Sequence, residues 1–261
     1  MATRTMLDVR SPRPHPGLLA SPRLRERQAG GRRDPFLAWP GWAHLRYAAW
    51  LSLANAAWFT VVYGGADYLT GRRSLRVPVH LAWELRIPLV PAMTAVYMSI
   101  YLLFLAAPFC LRTRRQFRAA VGTLACITLC GGIGFLLFPA ELAFPPPPAA
   151  ALGAWAGLYH FADELNLTYN LVPSLHVALS VACVAFLAEQ APAAGRAALW
   201  SWAVLIAAST VLIHQHHLLD VATGWLLAII CVRLVYHRLA LSPEAPEPAG
   251  PVDSVGQKEA W

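Results

Sequence analysis

Charge is scarce in this chain. Asp, Glu, Lys and Arg make up 13% of its 261 residues, about half the share usual in soluble domains. So thin a supply does not cover the surface of an ordinary soluble domain. Lysine is scarcer still: Lys258 stands alone beside arginine in the total of 21 basic residues. The net charge is +7, but the basic residues are scattered between apolar segments. They form no stripe of the kind a nucleic-acid surface needs, so no nucleic-acid partner is expected. Cysteine is limited to five residues, an odd number, with no C-x-x-C pair. That argues against a disulfide framework or a structural zinc site, and the five read as small buried hydrophobes. Residues 1–40 lack any apolar run and so do not read as a signal peptide.

Apolar residues fill the gap, with 57% of the chain hydrophobic and a mean hydropathy of +0.46. Six apolar segments lie near 43–63, 87–111, 119–139, 171–189, 197–213 and 218–236. Most approach the ~20 residues that cross a bilayer core. The expected fold class is all-α, an integral membrane bundle of six transmembrane helices over 41–238. Arg/Pro-rich and Pro/Glu-rich tails at 1–40 and 239–261 read as disordered and cytoplasmic. Pro145 to Pro148 stop the third helix from continuing, and 77–85 is too short to span. Loop arginines favour both termini inside, in a multi-pass cell-membrane protein. The loop 140–170, which has no Lys or Arg, then lies outside. The loop 65–86, with Arg72, Arg73, Arg76 and Arg86, opposes that count.

Two histidine clusters carry chemistry, and both fall at the outer face in this topology. The first is Pro173-Ser174-Leu175-His176. The second is His214-Gln215-His216-His217-Leu218-Leu219-Asp220. His216 and Asp220 are four apart and share a helix face if the last helix starts near His216. A carboxylate there fixes the imidazole tautomer and leaves the other nitrogen free to attack. Pro173 suits the first turn of a helix, whose free N–H groups favour an anion. The Ser174 hydroxyl adds a donor, and His176 is placed to protonate a leaving oxygen. The same residue types can bind metal, but no H-E-x-x-H pattern is present and adjacent His216 and His217 point apart on a helix, so no metal is expected. His160 and Asp163 read as solvated residues. Trp42, Trp50, Tyr101, Trp200 and Tyr236 read as interface anchors.

Together, Pro173–His176 and Gln215–Asp220 resemble the motifs of the type 2 phosphatidic acid phosphatase superfamily. The bacterial branch near the inositolphosphotransferase-like and sphingolipid-synthase-like members is most similar. Ile87–Pro91 with Tyr97-Met98-Ser99, Phe135–Pro139 and Val221–Gly224 add to the likeness, which covers roughly 45–236. It implies metal-independent phosphoryl transfer without a cofactor, through a phosphohistidine on His216. Asp220 would orient that residue, and His176 would act as acid and then base. Ser174, Ser209 and His217 would contact the phosphate of a lipid phosphate or phospholipid substrate. The superfamily's first motif, Lys, six residues, then Arg-Pro, is missing: Pro139–Pro146 stands where its arginine belongs. The last motif opens Ser209-Thr210 instead of Ser-Arg. Arg86 is the candidate replacement cation. The implied activity is a lipid phosphate phosphatase. Alternatives are a head-group phosphotransferase and a non-catalytic lipid-binding protein of the same fold. Substrate, acceptor and oligomeric state stay open.

Overall fold

The computed structural model describes residues 35–241. The tails read at 1–40 and 239–261 fall mostly outside that range. The last helix runs to Leu241, past the boundary expected at 238. The chain forms α1 (Trp42–Gly71), β1 (Val77–Pro78), a 3₁₀ turn (Glu84–Arg86), α2 (Met93–Met98) and α3 (Ile100–Cys110). Then come α4 (Arg114–Leu137), β2 (Ala140–Glu141), α5 (Ala149–Leu152) and α6 (Ala156–Leu165). The rest is α7 (Leu175–Ala188), α8 (Ala193–Leu212), α9 (Leu218–Cys231), a π-helical turn (Val232–Tyr236) and α10 (His237–Leu241).

Four stretches among the described residues are long and apolar enough to cross a membrane: Met93–Cys110, Arg114–Leu137, Ala193–Leu212 and Leu218–Ala240. The chain is therefore mostly helical and has the makings of a membrane protein. Two of the six expected spans fall short of that measure. At 30 residues α1 is long enough, but Asn55, Trp50 and Trp58 thin its apolar character. The second, α7, is apolar but has 14 residues. It is also the central helix, buried at every position from Val177 to Val184. Being apolar on all sides, it shows no polar stripe, as a fully enclosed helix should.

Around α7 pack α3, α4, α8 and α9, and α1 lies along α4. The start of α4 is set by a reciprocal cap. Thr113 Oγ1 accepts from the Gln116 N–H at 3.1 Å, and Gln116 Oε1 accepts from the Thr113 N–H at 3.4 Å. Beyond α4, β2 pairs in parallel with β1 and joins the loop after α1 to the loop after α4. The loop arginines are employed there. Arg73 donates to the Leu136 carbonyl, and Arg76 donates to the Leu75 carbonyl at 2.9 Å and lies over the Tyr169 ring. Of the expected interface anchors, Tyr236 is instead buried and packs its ring 4.3 Å from that of Phe186.

Helices α7 and α9 meet almost backbone to backbone. A Cβ on Gly224 would collide with the Ser174 carbonyl oxygen, so only glycine lets α9 approach the start of α7 this closely. Gly224→Ala is expected to force the two apart and destabilise the fold by about 1–3 kcal/mol. The reading is the thermal midpoint of the purified protein in detergent. A midpoint equal to that of the parent chain would show that the packing relaxes freely.

Candidate active site

The turn between α8 and α9 places the second histidine cluster. The Gln215 and His216 N–H groups both donate to the Thr210 carbonyl, at 3.0 and 3.1 Å. This tight reversal puts His214 at φ 60°, a left-handed conformation that costs a non-glycine residue energy. Surrounding contacts hold it there. The His214 ring stacks 4.1 Å from Phe144, and its Nε2 reaches the Ile87 carbonyl at 3.0 Å. Burial pushes the His214 pKa down.

His216 Nδ1 lies 3.2 Å from Asp220 Oδ2. The pairing predicted from the i, i+4 spacing is present, but its geometry is not that of one helix face. Helix α9 opens at Leu218 with His217 as its N-cap, so His216 sits before the helix. Asp220 reaches back to it while Oδ2 also accepts the His217 N–H at 2.9 Å. A carboxylate oxygen only accepts, so His216 Nδ1 carries the proton and Nε2 keeps its lone pair. Asp220 is fully buried, and its carbonyl accepts the Ser174 N–H at 3.0 Å. One residue thus touches both histidine clusters.

The first cluster differs from expectation in two ways. Pro173 is not in the first turn. It follows a cis peptide after Val172, and Ser174 is the N-cap. Ser174 is fully buried, and its hydroxyl oxygen accepts the Val177 N–H at 3.3 Å; it serves the helix end. His176 follows one residue into α7. Its ring stacks 3.6 Å from that of Tyr97, and its Nε2 donates to the Tyr97 carbonyl at 2.9 Å. The free nitrogen of His176 is therefore Nδ1.

Three other residues expected at the phosphate lie outside the lining of the cavity described below. Ser209 is fully buried and donates to the Ile206 carbonyl at 2.6 Å. Arg86 is exposed at the end of its 3₁₀ turn and does not line the cavity described below. His217 is fully buried with both ring nitrogens engaged. Nε2 accepts the Ala143 N–H at 3.1 Å, so Nδ1 bears the proton and donates to Glu84 Oε2, also at 3.1 Å. Burial lowers the His217 pKa, against the opposing pull of the Asp220 and Glu84 carboxylates.

Glu84 had no motif to announce it. It is 1% exposed, accepts the Leu218 N–H at 3.1 Å at the start of α9, and accepts the Leu81 N–H through its other oxygen. Its acidic side chain suits the positive end of the helix dipole. Asp163, which the structure places in α6 and not in a loop, also has a use. Its Oδ1 accepts from Gln215 Nε2 at 2.9 Å; Gln215 Oε1 accepts from Asn166, and Asn166 Oδ1 accepts the Tyr97 hydroxyl at 2.7 Å. This chain of bonds runs from the residue beside His216 to the residue stacked on His176.

His176 and His216 line one cavity of about 430 Å³ between α1, α3, α4 and α7. Tyr63, Tyr97, Asn166 and Asn170 surround the histidine end, and the remainder is mostly aliphatic and aromatic. No lining residue is Lys, Arg, Asp or Glu. Among the described residues, the group whose ligating atoms come close enough for a metal is Cys126, Cys130 and Cys231, with sulfurs within 4.8 Å of one another. It lies on α4 and α9 and does not line the cavity. Cys130 is exposed there, contrary to the reading of all five cysteines as buried.

The lowered His217 pKa has a consequence for stability. A histidine kept neutral in the fold contributes stability that is complete above its ordinary value of 6.5 and is lost as pH falls through its depressed folded value. The thermal midpoint is expected to hold from neutral to mildly alkaline pH and to decline on acidification. His217→Gln should start from a lower midpoint and lose less of it with acid. An acid decline as steep in His217→Gln as in the parent would assign the effect to other groups.

Residues 143–242 match the family model of the PAP2 superfamily. No curated protein and no solved structure matches the chain. The matched stretch contains α7, α8 and α9 and therefore both histidine clusters, and it supports reading the chain as similar to lipid phosphatases and phosphotransferases of the PAP2 superfamily.

Proposed function

We propose that this protein is a membrane-embedded, metal-independent lipid phosphoryl-transfer enzyme working through a phosphohistidine on His216. One observation carries the reading. Two histidines face a single uncharged cavity, each with one ring nitrogen held by a fixed acceptor and the other nitrogen free. His216 Nε2 attacks phosphorus, forming the N–P bond as the bond to the leaving oxygen breaks. Asp220 stabilises the positive charge that builds on the ring and holds the tautomer. His176, protonated at Nδ1, gives its proton to the leaving oxygen. The neutral His176 then takes a proton from the acceptor hydroxyl, whose oxygen displaces His216 and restores both residues. In the topology read from the loop arginines, both termini are cytoplasmic and the site opens at the outer face of the cell membrane.

The uncharged lining favours one form of substrate. A phosphate monoester brings two negative charges, and an uncompensated buried charge is costly. A phosphodiester brings one, which the protonated His176 balances before attack. This supports head-group transfer from a phospholipid, as in the inositolphosphotransferase-like branch, over hydrolysis of a lipid phosphate.

The test is product analysis by thin-layer chromatography. Protein in mixed micelles with chelator is given labelled phospholipids and lipid phosphates, with and without alcohol acceptors. We expect a new phosphorylated lipid that depends on an acceptor. His216→Ala should abolish it, and Asp220→Asn should slow it on the order of 10³–10⁴-fold, as when a histidine loses its orienting carboxylate. Free phosphate from lipid phosphates would favour the phosphatase. Parent chain and His216→Ala equally silent across the panel would leave a non-catalytic lipid-binding protein.

A further inference from the structure

We propose that Cys126, Cys130 and Cys231 form a three-sulfur site for one Cu(I) ion, outside the cavity of the two histidines. The site is independent of the reaction assigned to His216.

Three cysteines from two helices meet here. Cys126 and Cys130 are four apart on α4 and so lie on one face of that helix. Cys231 ends α9. The three sulfurs lie within 4.8 Å of one another, and the Cys231 thiol is in hydrogen-bond contact with both others. After Cys231 the chain leaves the α-helical path. Val232–Tyr236 form a π-helical turn packed against α4. Such turns are rare within helices and frequent at functional sites. This one follows directly on the residue that completes the group.

The donor set selects the ion. A sulfur-only set binds soft metals, chiefly Cu(I), Zn(II) and the iron of iron–sulfur clusters. A structural zinc ion takes four ligands, and iron–sulfur clusters are held by four. Among the described residues, no fourth Cys and no His, Asp or Glu joins this group. Cu(I), with a filled d shell and a single charge, is satisfied by three sulfurs. The spacing agrees. Metal–sulfur bonds of ~2.3 Å in a trigonal plane put the sulfurs about 4 Å apart. From within 4.8 Å, closure asks for a shift under about 1 Å. Access is graded: Cys130 is exposed, Cys126 half-buried and Cys231 buried, so an ion arriving at the surface meets the sulfurs in turn. Each thiol that binds as thiolate passes its proton to the solvent. The bound ion pins the end of α9 to the middle of α4.

The experiment uses the full chain in detergent, reduced and free of oxygen. Cu(I) is supplied as its bicinchoninate complex, whose colour fades as the protein takes the ion. The parent chain is expected to take up one Cu(I), with three sulfur neighbours at about 2.3 Å by X-ray absorption. Its thermal midpoint should rise by roughly 5–10 °C when free Cu(I) is about a hundred times Kd. Cys130→Ser, at an exposed position that the fold tolerates, should weaken uptake at least ~10-fold, as should Cys126→Ser. Cys110→Ala and His216→Ala are the controls and should bind as the parent does. No uptake by the parent would overturn the site. Uptake unchanged by both serine variants, or lost in His216→Ala, would place the ion elsewhere. Two sulfur neighbours in place of three would overturn the geometry. Uptake of Zn(II), read with a zinc indicator, alongside refusal of Cu(I) would overturn the choice of metal.

Discussion

Everything near the two histidines depends on one buried carboxylate. Asp220 binds His216 through Oδ2, takes the His217 N–H with the same oxygen, and receives the Ser174 N–H on its backbone carbonyl. Its side chain thereby orients a ring, opens α9 and holds the loop before it, while its backbone grips the N-cap of α7. The close approach at Gly224 allows that grip. A fully buried acid is costly unless well bonded, and here its bonds fix the relation between two motifs 40 residues apart in sequence. Glu84 acts similarly on the neighbouring groups, fixing the His217 ring and the Leu218 N–H.

Much of this was legible in the chain. The histidine clusters declare themselves against an apolar background, where ionisable groups are expensive and usually functional. The His216–Asp220 pairing follows from their spacing. The spacing does not reveal that the pair forms across a capping turn, because a separation of four is equally a helix face and an N-cap reach-back. Residues such as Ser174, Ser209 and His217 look like phosphate ligands by type. In the packed fold their described side-chain hydrogen bonds go to backbone groups and to Glu84, and such partners are a property of the fold. Glu84 and Asp163 were invisible for the opposite reason. Their partners lie far along the chain, 133 residues away for Glu84 and 52 for Asp163, and no local pattern encodes such contacts.

The membrane segments show a similar division. Spans that are long and evenly apolar, such as α4 and the stretch Leu218–Ala240, read clearly from composition. The ends of the bundle's central helix did not, because α7 is short and enclosed by protein on every side. The cation missing from the first motif is not replaced at the cavity wall. Arg73 and Arg76 serve backbone carbonyls and a tyrosine ring instead. The cavity wall therefore carries no Lys, Arg, Asp or Glu, and its polarity is concentrated in two imidazoles, tyrosine hydroxyls and side-chain amides.

The uncharged, mostly apolar lining of the cavity bears on what concentration means for this protein. A lipid of the surrounding bilayer would meet such a site in two dimensions. Saturation is then set by the mole fraction of substrate among neighbouring lipids, and diluting the vesicles with buffer leaves it untouched. Since no charge on the cavity wall steers that encounter, salt in the surrounding water has little to screen. The bilayer's composition, more than the solution around it, becomes the variable to which the protein responds.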